Sequence, residues 1–304
     1  MSDRLAQPDT VQLFRSVRAA RSWVQNGIAE LEAKSVPGCV TMKAGTGEPP
    51  VFMLPGAAGS ILQIAPLASS ITVPMPVYAI KPRGMERGEM PCENLAEMAE
   101  HAIGVIQRVQ PQGPYRLIGY SAGGLVALEV ARQLAAAGGD VPLVVLLDTY
   151  PSRETWPLSC HVQILARQSL RALRAIGRMR FRQAVVDVAR RLRSLLWYLA
   201  ASGLRLVNPP PVAAEGSDAA SRRVHLATDN AGEAYRPSRY AGRVVFIQPE
   251  LIPNLEPRSP HRVWGQFLSD LSIRQVPGSH LGMLDEGAVA TAAAISRCLD
   301  EALA

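Results

Sequence analysis

The chain has 304 residues, of which 48% are hydrophobic and 19% charged, a balance that suits a soluble globular protein with one large α/β domain or two small ones. Its formal net charge of +6 comes mostly from Arg. No zinc-finger spacing, RNP-like aromatic motif or long basic tail accompanies that charge, so nucleic-acid binding is not expected, whereas an acidic partner or substrate is.

The N-terminus, Met1-Ser2-Asp3-Arg4-Leu5, lacks the apolar core of a signal peptide. The cysteines Cys39, Cys92, Cys160 and Cys298 form no close pairs, which fits reduced thiols in a cytoplasmic protein and excludes a CxxC redox or zinc motif. Residues 8–34 read as an amphipathic helix, with Leu13, Val17, Ala20 and Val24 on one side and Arg15, Arg18 and Arg21 on others. It belongs to an expected N-terminal extension over residues 1–38, broken at Ser35-Val36-Pro37-Gly38. The uncharged stretch from Pro49 to Ile80 is interrupted by Pro55, Pro66, Pro74 and Pro76, so it predicts a strand–loop–helix–strand unit and no membrane span.

Strands are predicted at Cys39–Lys43, Val51–Leu54, Pro76–Ile80, Tyr115–Gly119, Leu143–Asp148, Arg243–Gln248 and Leu271–Val276, with helices at about 60–70, 94–110, 122–138, 260–268 and 286–303. This alternation predicts a mostly parallel sheet covered by helices on both faces. The stretch from Asp148 to Arg243 breaks the pattern. It carries no convincing strand, and its helical part, 160–207, holds Arg167, Arg171, Arg174, Arg178, Arg182 and further arginines against the single acid Asp187. Such an insertion in an α/β domain is usually a lid or a binding element, and its arginines are candidates to meet an acidic partner; the plainer reading is a solvated helical face.

Chemistry is suggested by Gly119-Tyr120-Ser121-Ala122-Gly123-Gly124. A Gly-x-Ser-x-Gly sequence between a buried strand and a helix makes a sharp turn that lifts the serine hydroxyl above the sheet. A serine needs a base, and the base needs an orienting group. Among His101, His161, His225, His261 and His280, only His280 follows the last strand, in Val276-Pro277-Gly278-Ser279-His280, at the edge where catalytic groups of open α/β sheets gather. Two acids can reach it: Asp148, closing Leu143-Val144-Val145-Leu146-Leu147, and Glu250, after the next strand. A carboxylate ending so apolar a run is costly to bury unpaired, so Asp148 should have a partner. Oxyanion donors are expected from the Ala122 amide, at the start of the helix, and from the loop Pro55-Gly56-Ala57-Ala58-Gly59, with Ala57 favoured and Gly56 the alternative.

These residues resemble a known family. The run from Gly113 to Gly124 is similar to the nucleophile region of the type I thioesterase domains that end nonribosomal peptide synthetases and polyketide synthases. Leu146-Leu147-Asp148-Thr149-Tyr150 resembles their acid motif, Pro277-Gly278-Ser279-His280 with Met283-Leu284 their histidine turn, and Tyr235-Arg236-Pro237 with Tyr240-Ala241-Gly242-Arg243 their approach to the next strand. The resemblance implies an α/β-hydrolase fold with a helical lid at about 152–235, and it points to Asp148 as the acid. It also implies an acyl chain delivered on the 4′-phosphopantetheine arm of a partner carrier protein, with no metal and no resident cofactor. No carrier domain with its attachment serine is found, and Met1 with the N-terminal helix suggests a stand-alone protein. The expected activity is that of a serine thioesterase. Its rivals are a carboxylesterase or lipase on small esters and a non-catalytic ligand-binding module.

Overall fold

The computed structural model describes residues 36–46, 49–176, 219–253 and 256–303. The expected helix over 8–34, most of the 1–38 extension, and the Arg-rich segment beyond 176 lie outside the described residues.

The seven strands are β1 (Cys39–Lys43), β2 (Val51–Leu54), β3 (Val77–Ile80), β4 (Arg116–Tyr120), β5 (Leu143–Leu147), β6 (Tyr240–Pro249) and β7 (Leu268–Val276). They form one sheet in the order β1-β3-β2-β4-β5-β6-β7. Only the β1–β3 pairing is antiparallel; the others are parallel. Helices α1 (Ile61–Ser70), α2 (Leu95–Val109), α3 (Ala122–Ala136), α4 (Leu158–Ile176), α5 (Ala219–Ala234), α6 (Pro260–Trp264) and α7 (Ala288–Glu301) connect or flank them. This is the mostly parallel, helix-covered sheet expected, with α4 and α5 supplying helical structure within the insertion between β5 and β6.

The central strands β2, β4 and β5 are buried at every position, because both sheet faces are covered. Alternate residues feed opposite layers. Val51, Met53, Ile118, Val145 and Val245 pack beneath Ile64 and Leu67 of α1 and Ile295 of α7. Phe52, Leu54, Leu117, Leu146 and Phe246 pack against Val105 of α2 and Leu128 of α3. Helix α2 begins where Asn94 accepts a hydrogen bond from the Glu97 amide, a side-chain cap that satisfies one otherwise orphaned donor.

Differences from the predicted elements sit at their ends. The predicted helix over 260–268 stops at Trp264, because β7 begins at Leu268, where it pairs with Tyr240. Strand β6 likewise starts earlier than Arg243, at Tyr240. The pairing Tyr240↔Leu268 lengthens both strands, and no local sequence pattern announces it, since Tyr240-Ala241-Gly242 reads as a turn.

Trp264 is fully buried, and its indole N–H donates to the Thr149 carbonyl at 2.9 Å. It therefore joins α6 to the loop after β5. Trp264→Ala is expected to lower the unfolding free energy by about 3–5 kcal/mol. Trp264→Phe, which keeps a ring but loses the donor, should cost clearly less. Urea denaturation of the two variants checks the order.

Candidate active site

Parallel register brings the carboxyl ends of several strands to one edge. Leu54 pairs with Gly119, Tyr120 with Leu147, and Leu147 with Ile247. The loop after β2, the turn after β4 and the loop after β5 therefore open side by side. The ladder also runs one residue past two of these strands. The Ser121 N–H donates to the Leu147 carbonyl and the Asp148 N–H to the Ile247 carbonyl, both at 2.9 Å.

Ser121 and Asp148 have φ of 54° and 44°, and no other non-glycine residue among those described has a positive φ. Such conformations cost on the order of 1–3 kcal/mol each and persist where the surroundings over-determine them. At Ser121 the turn is so tight that a Cβ on Gly123 would lie 2.1 Å from the Pro55 carbonyl oxygen, and one on Gly119 would lie 2.4 Å from that of Gly123. The Gly-x-Ser-x-Gly spacing follows from these backbone approaches. Thr149 holds the turn from below, donating its hydroxyl to the Ser121 carbonyl at 3.0 Å.

The carboxylate expected to have a partner has one. Asp148 Oδ2 lies 2.8 Å from His280 Nδ1, with the Asp148 side chain 3% exposed and that of His280 33%. An imidazole bonded through Nδ1 to a carboxylate directs Nε2 the other way and stabilises the imidazolium. Tyr120 braces the histidine twice. Its ring stacks on the imidazole with centroids 4.8 Å apart, and its hydroxyl donates to the His280 carbonyl at 2.9 Å. Burial, and then the Asp148 charge, hold the Tyr120 phenol far above its ordinary range, so it remains a donor at any working pH.

The other histidines lie elsewhere. His101 bonds the Lys81 carbonyl from α2, His161 the Pro157 carbonyl at the start of α4, and His225 pairs with Asp229 along α5. Glu250, the alternative acid, is exposed, although its amide donates to the Val276 carbonyl. The candidate oxyanion residues sit at the same edge. A Cβ on Gly56 would be 3.6 Å from Ser121 Cβ, Ala57 is half-buried in a turn closed by the Gly59 N–H on the Gly56 carbonyl, and Ala122 opens α3.

One member of the site was not foreseen. The Glu256 carboxyl is pushed up to about 7, first by burial and then by the Asp148 charge, with His280 and Arg153 pulling it partly back. Its Oε2 is buried with no hydrogen-bond partner among the described residues. Its backbone carbonyl accepts from Arg167 of α4 at 2.8 Å, and the Tyr150 hydroxyl donates to the next carbonyl, that of Pro257. A glutamate in Leu255-Glu256-Pro257 reads as loop polarity, so the sequence gives no signal for it.

A seven-stranded, mostly parallel sheet with a serine on the strand-to-helix turn, an acid after the next strand and a histidine after the last is an α/β-hydrolase. The chain belongs to the thioesterase domain family, which it matches over residues 49–299, and so to a class of enzymes that act on thioesters. The nonribosomal peptide synthetase btyA of Aspergillus terreus (strain NIH 2624 / FGSC A1156) is 34% identical over 148 residues, 45% of this chain and 16% of that protein. The dimodular nonribosomal peptide synthase of Bacillus subtilis (strain 168) is 41% identical over 106 residues, 34% of this chain and 4% of the synthase. The matched regions are thus small parts of these curated relatives. Among solved structures, the NocB thioesterase domain in covalent complex with a fluorophosphonate nocardicin G analog superposes with a TM-score of 0.57 at 25% identity, covering 84% of this chain and 96% of that domain. YbtT, a type II thioesterase from the yersiniabactin pathway, shares the fold with a TM-score of 0.58 at 16% identity, covering 88% of this chain and all of YbtT.

The Glu256 shift makes a stability prediction. The folded state keeps a proton on Glu256 at pH values where the unfolded chain, near the ordinary 4.5, has lost it. Its contribution to stability therefore declines as pH rises from about 4.5 through about 7 and stays low above that. Glu256→Gln removes the penalty, so its urea midpoint should exceed wild type at pH 8 and match it near pH 4.5. A midpoint difference that does not change with pH would contradict the assignment.

Proposed function

We propose that the protein is a serine thioesterase that releases an acyl, peptidyl or polyketide chain from the 4′-phosphopantetheine arm of a carrier protein. The observation that carries this reading is the 2.8 Å bond from His280 Nδ1 to buried Asp148, made at the edge where Ser121 sits on its positive-φ turn, in a chain of the thioesterase family.

In the first step Ser121 Oγ attacks the thioester carbonyl while its proton passes to His280 Nε2. The amides of Ala57 and Ala122 hold the oxyanion, and the positive end of α3 adds to the second. The C–S bond then breaks, and the imidazolium returns the proton to the departing pantetheine thiolate. In the second step water, or a hydroxyl or amine of the acyl chain itself, attacks the acyl carbonyl with His280 again as base, and the C–O bond to Ser121 breaks as the imidazolium returns the proton to Oγ. Asp148 orients the ring and stabilises its charge in both steps. An apolar cavity of about 40 Å³ adjoins the Gly56 turn and is walled by Leu54, Ile80, Met98, Ala102, Val126 and Val224.

The carrier enters because the relatives that the chain matches are synthetases and synthases of nonribosomal peptides and polyketides. Four buried, unpaired cysteines suit a reducing compartment, so we place the protein in the cytoplasm. Among the described residues, no helix is long and apolar enough to cross a membrane.

Turnover of acyl-loaded carriers, followed by mass spectrometry, tests the reading. Ser121→Ala should lose about 10³-fold or more in rate, and near-wild-type hydrolysis by this variant would sink the mechanism. Turnover of a simple ester as fast as that of a carrier thioester would favour the esterase alternative.

The acid has its own test. Asp148→Asn should cost roughly 10²–10⁴ in rate by offering the wrong hydrogen-bonding group to His280, while Glu250→Gln should change little. Reversed results would move the acid to the later strand.

A further inference from the structure

Helix α5 of the insertion lies on the turn that presents the Ala57 amide. Ser221, in its first helical turn, donates its hydroxyl to the Ala58 carbonyl at 3.0 Å, across 163 residues of chain. One helical turn further, Val224 is buried, and its Cγ1 lies 3.0 Å from where a Cβ on Gly59 would sit, with Met85 Sδ at 3.1 Å. Gly59 has φ of +69°, and its N–H closes the turn on the Gly56 carbonyl at 2.9 Å. The Ala58–Gly59 peptide is therefore held at both of its polar atoms, by Gly56 within the turn and by Ser221 from outside it. The Gly56 carbonyl shares its planar peptide with the Ala57 N–H, so the bond from Gly59 passes the constraint on to the direction of the Ala57 amide. A donor aimed at a developing oxyanion is effective only when its direction is set before the reaction.

We propose that Ser221 is a positioning residue for the oxyanion turn, so that seating of α5 on Ala58 and Gly59 completes the hole. Ser221 acts through the Ala58 carbonyl. The proposal rests on Ala57 being an oxyanion donor, as in the proposed function. Both acylation and deacylation pass through an oxyanion, so a misaimed donor slows each of them and leaves ground-state binding intact. The expected signature is a loss in kcat at unchanged KM, which general loosening of the insertion would not give.

The test uses the full chain and a small acyl thioester of N-acetylcysteamine. Ser221→Ala should lower kcat by about tenfold, the scale of one hydrogen bond, with KM within about twofold of wild type. Ser221→Thr, which keeps the hydroxyl, should restore most of the rate. An alkyl trifluoromethyl ketone, whose adduct with Ser121 places an oxyanion in the hole, should bind Ser221→Ala more weakly by about the factor lost in kcat. Ala57→Pro deletes the amide itself at the turn position that proline favours. In that background Ser221→Ala should cost almost nothing more. If Ala57→Pro alone leaves kcat unchanged, the Ala57 oxyanion assignment fails. If Ala57→Pro slows turnover but Ser221→Ala leaves kcat and ketone affinity unchanged, or raises KM instead, the positioning role fails. Full additivity of the two substitutions also overturns it.

Discussion

A carboxylate at the end of a strand made only of Leu and Val has very few ways to be stable. Asp148 follows β5, which is flanked on both sides by parallel strands and covered on both faces, and its side chain is almost wholly removed from water. Desolvation of an ionised carboxylate is tolerable only with a charge-assisted hydrogen bond or a cation close by. His280 supplies that bond, and much of the surrounding edge serves to bring it there. Strand β7 carries the chain up beside β6, Gly278 turns it with φ of +97°, and Tyr120 stacks on the ring while gripping its carbonyl. The contact that the proposed mechanism needs is thus also one that burial of Asp148 requires.

The same economy governs the backbone. Ser121 and Asp148 are the strained positions of the described chain, and each is fixed by a sheet hydrogen bond made after its strand has ended. Thr149 connects them, accepting from Trp264 through its carbonyl and donating through its hydroxyl to the Ser121 carbonyl. A chain of contacts from a buried indole to the serine turn replaces the freedom that either loop would have alone. Local strain of about 1–3 kcal/mol at each position is held by interactions of comparable size.

Legibility of the sequence followed the range of the interactions involved. The sheet was readable because buried parallel strands are short apolar runs, and α2 because Leu95, Met98, Ala102, Ile106 and Val109 recur at helical spacing. Ser121 could be read because close backbone approach demands its glycines. Asp148 and His280 could be read because each ends or follows a strand at the same edge. The residues alone left Glu250 open, since one dimension cannot say which carboxylate is buried and which is exposed. Tyr240 as the start of β6 and Glu256 beside the dyad were illegible for a similar reason. The first depends on pairing with Leu268, the second on how Arg167 and Tyr150 draw the loop inward. Neither partner is near in sequence.

The insertion is more than a cover over a finished site. Its two described helices reach different parts of the candidate site: α4 holds the Glu256 carbonyl near the acid–histidine pair through Arg167, and α5 holds the turn after β2, the proposed oxyanion turn, through Ser221. Arg167 in particular is half-buried and directed at a backbone carbonyl, so its charge is engaged within the protein and is a poor candidate for steering an acidic partner from solution. An arginine so placed also carries the cost of its own desolvation, which lowers its proton affinity, and that cost is repaid only while the loop it holds stays in place. Insertions in α/β enzymes are usually thought of as specificity elements added to a constant engine. Here the attachment points lie on the loops that carry the candidate site, so under the proposed mechanism a change in the insertion that displaced α4 or α5 would reach the chemical step as well as the choice of substrate.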